Sequence, residues 1–270
     1  MILVLSQESY ESTTDAVLDW IEYLGGDATR LNGADLTGGE PFAVRLGAEG
    51  EELRMRIGGR EVTGDEIGAV WRRRWNPARS VSPLPGTTPA LRGLAQRHLA
   101  AELTAVSQSV FALLEDVPWL SRPVPVDKLR ALKVARGAGL EIPEALLTNR
   151  RDELLSFIDA YGEVVTKCAS DGEMFPDGDR AWATYTSLVS RDDALRLPES
   201  FFPSLIQARV AKSFELRVFY LDGTCWPMAI FSQADARTSV DFRLYNHATP
   251  NRTVPYRLPD DVRVAIDRFM

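Results

Sequence analysis

A lysine that ends an apolar segment and precedes a glycine- and aspartate-rich stretch is the pattern in this sequence most suggestive of chemistry. Lys167 closes the apolar run, and Asp171, Gly172, Gly178 and Asp179 follow within twelve residues. Backbone N–H groups of such a stretch can surround phosphates while the ammonium supplies a positive charge. The spacing matches neither a Walker A loop nor a dinucleotide fingerprint. A lysine whose stem covers apolar surface at a strand end explains the same pattern without a ligand.

Composition and charge narrow the classes of function. The chain has 31 Lys and Arg against 38 Asp and Glu, a net charge of −7, so nucleic acid is not an expected partner. Two Cys and two His provide neither a disulfide framework nor a zinc site, and any metal is predicted to be oxygen-ligated Mg²⁺. We expect no membrane span and no signal peptide, and therefore a cytoplasmic protein.

The first 120 residues predict a small α/β domain. A continuous apolar run at residues 2–5 is typical of a buried parallel strand, and a helix is predicted to begin at Ser12. Alternating residues around Gly58 and Gly59 predict a hairpin. A short strand at residues 70–71 and a long helix over residues 90–116 complete this domain.

Three prolines within residues 118–125 indicate a linker, and the pattern beyond it is α+β. We therefore predict domains over residues 1–120 and 121–270, with a small subdomain at about 121–205. The predicted elements of the second domain are a helix over 127–136, a helix capped by Asn149, strands over 163–168, 181–189 and 205–210, a loop over 169–180, a hairpin over 213–231 turning at Asp222 and Gly223, and a helix over 260–270.

The second domain resembles the ATP-grasp superfamily. The resemblance lies in residues 126–132 (VDKLRAL), 139–143 (GLEIP), Thr148–Asn149 and 164–167 (VVTK). It implies an ATP-grasp fold preceded by a pre-ATP-grasp α/β domain, with Lys128 and Lys167 on the ATP phosphates. It also implies that adenine is bound by backbone groups at Gln207, Ala208, Arg209 and Val210. The ribose hydroxyls would be bound by the Glu215 carboxylate. An apolar slot for adenine and two cations for a triphosphate fit these ligands physically.

A narrower resemblance is to the ATP-grasp maturases of ribosomal peptides, the microviridin and grasp-with-spasm group that makes graspetides. It rests on residues 2–7, 70–73, 201–205, 214–221, 228–233, 238–243, 250–252 and 254–256 and covers most of the chain. It implies that ATP and Mg²⁺ convert Asp or Glu side chains of a precursor peptide into acyl phosphates. A Thr or Ser hydroxyl, or a Lys amine, then closes an omega-ester or omega-amide ring.

The resemblance also implies a leader and a core region in the precursor, and a homodimeric enzyme. The leader is expected on the hairpin over residues 213–231, which carries Trp226 and Met228, although a buried core hairpin would show the same pattern.

A substrate carboxylate beside a triphosphate requires further cations, and guanidinium groups bind carboxylates well. Because the family places its chemistry in and just after this hairpin, Arg217, Arg237 and Arg243 are the candidates, with exposed surface arginines as the alternative. Asp241 could orient or deprotonate the nucleophile, or equally cap a turn. Among Arg72, Arg73 and Arg74, one could face the substrate, while a solvated strand end is the favoured explanation for at least two.

The metal ligands depart from the family pattern. ATP-grasp enzymes hold Mg²⁺ with an Asp and a later E-x-N triplet, and no such triplet occurs near the end of this sequence. We therefore expect the C-terminal part to be incomplete, the alternative being a protein that cannot bind Mg²⁺ in the manner of the family, and the metal ligands stay unknown. Two other functions remain open: a ligase that adds a free amino acid to a carboxylate, and a non-catalytic peptide-binding homologue.

Overall fold

A computed structural model describes residues 1–8, 11–48, 50–76, 85–86, 88–122, 127–170, 172, 174–177 and 180–270. The chain divides into two compact units, Met1–Val124 and Pro125–Met270. The described residues form six α-helices: α1 (Ser12–Tyr23), α2 (Pro89–Leu113), α3 (Lys128–Gly137), α4 (Arg151–Tyr161), α5 (Arg191–Arg196) and α6 (Asp260–Phe269). Within these ranges, no helix combines the length and apolar character needed to cross a membrane.

The strands of the two units form separate sheets. The N-terminal unit contains β1 (Ile2–Ser6), β2 (Ala28–Asn32), β3 (Phe42–Gly47), β4 (Gly50–Ile57), β5 (Arg60–Thr63), β6 (Ala69–Arg72) and β7 (Trp119–Leu120). The C-terminal unit contains β8 (Ala145–Arg150), β9 (Val164–Lys167), β10 (Met174–Asp177), β11 (Arg180–Ala183), β12 (Ser187–Val189), β13 (Ser200–Ala208), β14 (Glu215–Leu221), β15 (Thr224–Ile230) and β16 (Thr253–Pro255).

A parallel sheet of order β2-β1-β6-β7 organises the N-terminal unit. Leu3, Val4 and Leu5 on β1 are completely buried, as the uninterrupted apolar run predicts. The chain leaves β1 for β2 on one side and later adds β6 on the other, so the order reverses at β1. In open α/β sheets, ligands bind at the carboxyl ends of the strands beside such a reversal.

The predicted hairpin joins β4 and β5 through Gly58 and Gly59, whose φ angles are +57° and +82°. Positive φ at both positions is the geometry of the tight turns that match strand twist, and glycine adopts it without steric cost. Leu53, Met55 and Val62 on these strands are buried in the same core as β1.

An antiparallel sheet of order β12-β9-β13-β8 forms the frame of the C-terminal unit. Val164 and Ile206 pack with Leu154 of α4 and Ala194 of α5, so these helices cover one face of the sheet. Since side chains alternate along a strand, Lys167 belongs to the opposite face. Residues that pair across β9 and β13 point to the same face of the sheet. On the face opposite the helices, Lys167 pairs with Leu205 and Val165 pairs with Gln207.

The second predicted hairpin joins β14 and β15 at Asp222 and Gly223, with φ angles of +45° and +77°. Phe219 pairs with Trp226 and Arg217 pairs with Met228 on one face, and all four side chains are exposed. The Tyr220 hydroxyl, on the other face, donates a hydrogen bond to Asp267 of α6.

Several local predictions differ from the structure. Asn149 lies within β8, and α4 begins at Arg151 with Arg150 at its N-cap and no side-chain cap. The predicted loop over 169–180 contains β10, and the predicted strand over 181–189 is divided into β11 and β12. Helix α5 was not predicted, although Ser190 and Asp193 form a capping box at its start.

Candidate active site

A cleft of about 630 Å³ opens at the end of β9 in the C-terminal unit. Its wall combines the end of β9 with the segment after it, the connection between β11 and β12, and part of β13. The lining residues are Thr166–Ser170, Ala183–Tyr185, Ser187 and Phe202–Leu205. Asp171, Gly178 and Asp179 of the predicted phosphate loop lie outside the described residues. Gly172 is described, and a Cβ there would lie 2.8 Å from the Thr184 hydroxyl, so this position requires glycine for close approach.

Lys167 is a half-buried cation in this cleft, and its ammonium has no hydrogen bond or ion pair with any described residue. Burial lowers the pKa of Lys167, and the positive charges of Lys128 and Arg243 lower it further. Lys128 bonds Cys168 and Ser170, and Arg243 lies over Tyr185, all of which line this cleft with Lys167, so three cations lie near one region of the unit. Such an arrangement favours a multiply charged anion, because an anion relieves the repulsion among the cations.

Lys128 is held beside Lys167 by the segment that follows β9. Its ammonium donates hydrogen bonds to the carbonyl oxygens of Cys168, at 2.6 Å, and Ser170, and its backbone N–H donates to Ala169 at 3.0 Å. Helix α3 begins at Lys128, because Asp127 caps it by accepting the N–H of Arg130. The positive end of a helix dipole therefore adds to the lysine charges at this point.

Arg243 is anchored by Asp241. Oδ1 of Asp241 accepts Nε of Arg243 at 2.9 Å and Oδ2 accepts Nη2 at 2.6 Å, while Oδ2 also accepts the Thr186 N–H at 3.0 Å. Burial alone would raise the pKa of Asp241, but these hydrogen bonds outweigh it and lower the pKa to about 2. The guanidinium lies over the Tyr185 ring, 5.9 Å from its centroid, and its pKa is raised chiefly by the bond to Asp241.

This geometry favours the turn-capping role of Asp241 over the role of base. Oδ1 accepts the backbone N–H of Arg243 at 3.1 Å, the hydrogen bond expected of a capped turn. A carboxylate with a pKa of about 2 takes up protons poorly near neutral pH. Asp241 therefore holds the Arg243 guanidinium in place, and Nη1 of that guanidinium has no partner among the described residues.

The predicted adenine hinge lies where β13 ends. The N–H groups of Ala208 and Arg209 donate to the carbonyls of Glu144 and Glu163, and the Arg209 guanidinium bonds the Glu163 carboxylate at 2.9 Å. The Gln207 side chain is 3% exposed, and its Nε2 has no partner among the described residues. Val210 is largely exposed at the end of the hinge. A buried, unpartnered donor on the Lys167 face of the sheet is consistent with a polar ligand there.

Glu215 belongs to a partly buried polar network. Its Oε1 accepts hydrogen bonds from the Lys212 ammonium at 2.8 Å and from the Ser232 hydroxyl at 2.7 Å. Lys212 also donates to the Val240 carbonyl at 3.0 Å, which connects the network to the segment before Asp241. Oε2 of Glu215 has no hydrogen bond to a described residue and remains available to a ligand.

Two predicted arginines lie apart from this cluster. Arg217 is exposed on the outer face of the β14–β15 hairpin, beside Met228. Arg237 is exposed, and its backbone N–H donates to Asp235 at 2.8 Å. In the part of the chain that the structure describes, neither guanidinium contacts Lys167, Lys128 or Arg243. The cluster itself thus contains Lys128, Lys167, Arg243 and Asp241 of the predicted site residues.

The structure adds residues that sequence reasoning missed. Tyr185 and Thr186 position Arg243 and Asp241, yet nothing in their local sequence indicates contacts with residues 58 and 55 positions away. Lys212 lies three residues before Glu215, and this spacing could have indicated the pair. Over the described ranges, no group of three or more His, Cys, Asp or Glu side chains is arranged to hold a metal ion.

The four-stranded sheet with its helices on one face, the cationic cleft and the α/β unit that precedes them define an ATP-grasp fold. The chain has a TM-score of 0.80 to an ATP-grasp ligase associated with ribosomal peptides from Chryseobacterium gregarium, solved with ADP and a leader and core peptide. The two share 20% identity, and the match covers 99% of this chain and 80% of that one.

The same fold occurs in two further solved structures. Macrocyclase MdnC of Microcystis aeruginosa, bound with precursor peptide MdnA, matches with a TM-score of 0.79 and 23% identity over 100% of this chain and 83% of its own. The ATP-grasp ligase PsnB, complexed with minimal precursor, Mg and ADP, matches at 0.69 and 17% identity over 99% and 79%. No protein-family model and no curated protein matches the chain. The chain therefore has the fold of these ATP-grasp ligases.

Proposed function

We propose that this protein is an ATP-dependent ligase that activates a carboxylate side chain of a ribosomal precursor peptide. The observation that carries the proposal is the convergence of Lys128, Lys167 and Arg243 on one region of an ATP-grasp unit. Three cations without an equal number of nearby anions suit a triphosphate and a carboxylate, the two anions that such a reaction must bring together.

The residues present fit ATP at three points. Lys128, Lys167 and the start of α3 would bind phosphates. The buried donor of Gln207 and the exposed end of the hinge at Val210 would meet the adenine. Oε2 of Glu215 would accept a ribose hydroxyl, while Lys212 and Ser232 hold its other oxygen. Because Ala208 and Arg209 already use their N–H groups, backbone donation to adenine falls to Val210.

Mg²⁺ is part of the proposal because the matched PsnB structure contains Mg with ADP. The described residues of this chain supply no complete set of ligands for it. No residue is therefore assigned to the metal.

Arg243 is the proposed contact for the substrate carboxylate. Asp241 fixes one edge of the guanidinium, so Nη1 can receive a carboxylate oxygen without reorganising the side chain. That oxygen would attack the terminal phosphorus, ADP would leave, and an acyl phosphate would form. A Thr or Ser hydroxyl, or a Lys amine, would then attack the carbonyl and release phosphate, closing an omega-ester or omega-amide ring. Arg217 and Arg237 remain alternative contacts.

The outer face of the β14–β15 hairpin is the proposed surface for the leader of the precursor. Phe219, Leu221, Trp226 and Met228 are 65%, 45%, 53% and 44% exposed on it, an apolar patch suited to a partner peptide. All three of these matched structures hold a precursor or a leader peptide. We further propose a homodimer and, because the reaction consumes ATP, a cytoplasmic location.

The proposal is tested by incubating the protein with ATP, Mg²⁺ and a candidate precursor, followed by mass spectrometry and ADP measurement. Loss of one water per ring with stoichiometric ADP is the expected result. A mass gain with a free amino acid would identify the alternative ligase. Neither a mass change nor ADP release, with peptide binding retained, would leave a non-catalytic binding protein.

A further inference from the structure

The segment that follows β6 in the N-terminal unit contains hydrogen-bond donors that the fold does not use. In the described residues, buried side-chain nitrogen or oxygen atoms without a partner occur at three positions, and two of these are Nε of Arg72 and Nε1 of Trp75. Trp75 is 8% exposed and packs against Phe111. The neighbouring Trp119 donates its indole N–H to the Leu114 carbonyl at 2.7 Å, so the same core does satisfy another indole. Buried donors without acceptors are rare in native proteins and call for an explanation.

The surroundings of this segment are positively charged and rigidly held. Glu11 is 4% exposed, and its carboxylate pairs with Arg74 at 2.8 Å and with Arg73 at 3.4 Å. Thr14 donates to the same carboxylate at 2.7 Å. One carboxylate is thus shared by two arginines, and Arg72 contacts no anion among the described residues. The segment as a whole retains positive charge.

Backbone geometry and position indicate a binding site as well. Arg74 has a φ of +55°, a left-handed conformation that costs energy in a residue with a side chain and that persists where function requires it. The N–H of Arg73 donates to the Leu5 carbonyl at 2.7 Å, which holds the segment at the carboxyl end of β1. This is the point of strand-order reversal, where α/β sheets bind ligands.

We propose that Arg72, Arg73 and Trp75 form a second anion-binding site, which takes a carboxylate of an acidic peptide. Both unused groups are donors, so the ligand must bring acceptors, and the excess positive charge requires an anion. The Nε edge of a guanidinium matches the two oxygens of a carboxylate. The choice of a peptide as the carrier rests on the proposed function, in which the substrate contains Asp or Glu.

The probe is an acetylated, amidated tetrapeptide of alternating glutamate and aspartate, titrated into the full chain without ATP and followed by calorimetry. Its glutamine–asparagine counterpart and inorganic phosphate are the comparison ligands. Arg72→Met is expected to weaken peptide binding roughly ten- to hundredfold, because it removes a charged hydrogen bond. Trp75→Phe should weaken it several-fold, because it removes a neutral hydrogen bond. Arg45→Met removes one exposed charge from the same unit and should leave binding unchanged.

Thermal unfolding separates binding from a structural role. Since Arg72→Met keeps an aliphatic stem and removes a buried donor that lacks an acceptor, it should keep or raise the Tm, whereas Trp75→Phe also leaves a cavity in the core and should lower the Tm. A fall in Tm for Arg72→Met would mean that its donor is satisfied within the fold, which overturns the proposal. Equal peptide affinity in Arg72→Met and Arg45→Met, or binding of phosphate but not of the peptide, would also overturn it.

The outcomes distinguish this site from the proposed function. Peptide binding that depends on Arg72 in a protein that neither binds ATP nor modifies a precursor would support the site and contradict the ligase. ATP-dependent modification with an unchanged KM for the precursor in Arg72→Met would support the ligase and contradict the site.

Discussion

Asp241→Asn is expected to destabilise the C-terminal unit by about 2 kcal/mol near neutral pH. In the folded protein the pKa of Asp241 falls from 3.8 to about 2, mainly because Arg243 and Thr186 donate hydrogen bonds that offset the cost of burial. Each unit of pKa corresponds to about 1.4 kcal/mol of preference for the charged form. Asparagine keeps the shape, but its amide would face the Thr186 N–H or the Arg243 guanidinium, both donors.

Urea unfolding at several pH values measures this effect. A lowered carboxyl pKa stabilises the fold above the unfolded pKa, so the difference between wild type and Asp241→Asn should be complete at pH 5 to 7. It should decrease as the pH falls from about 4 towards 2, where the wild-type carboxylate becomes protonated. At this size, about 2 kcal/mol also corresponds to a decrease in Tm of roughly 4–8 °C.

Asp159→Asn is the matched control. Asp159 pairs with Arg191 at 3.5 Å, and both side chains are more than half exposed, so its loss should cost less than about 1 kcal/mol. If Asp241→Asn and Asp159→Asn had equal stabilities at pH 7, Asp241 would not anchor Arg243 in the way described. A stability difference that did not diminish below pH 4 would contradict the pKa assignment.

Three further predictions concern the cleft and the hairpin. Lys167→Met should leave the free energy of unfolding unchanged or raise it by up to about 1 kcal/mol, because burial and neighbouring cations already disfavour this charge; a loss in urea unfolding would contradict that reasoning. Lys128→Met removes two carbonyl contacts and should cost about 1–2 kcal/mol in the same assay, whereas a neutral effect would show that the tether is unimportant. Phe219→Ser and Trp226→Ser should change stability by less than about 0.5 kcal/mol but weaken leader binding roughly tenfold in fluorescence anisotropy, and unchanged binding would exclude this face.

Features governed by neighbouring residues were predictable from the sequence. The turns at Gly58–Gly59 and Asp222–Gly223 follow from residues that tolerate positive φ, and the buried β1 follows from its apolar run. Asn149 was the wrong cap because pairing of β8 with β13 keeps it in a strand, and tertiary pairing outweighs a local capping preference.

The site could be predicted only in part, since its geometry depends on distant contacts. The resemblance to ATP-grasp enzymes indicated Lys128 and Lys167, and the structure brings them together through the 168–170 segment. The position of Arg243 depends on Asp241 meeting the Thr186 N–H, a contact that also interrupts the predicted strand over 181–189. The buried donors of Arg72 and Trp75 had no sequence signal, because lack of a partner is a property of the fold alone.

ATP binding to wild type and Lys167→Met, measured by calorimetry with Mg²⁺ present, tests the central claim most directly. The half-buried ammonium of Lys167 lies in the cleft without a partner among the described residues, and its loss is expected to weaken binding by about tenfold or more. Lys133→Met, an exposed change on α3, should bind as wild type does. Equal ATP affinity in Lys167→Met and wild type, or no ATP binding by either, would contradict the assignment of this cleft as a nucleotide site.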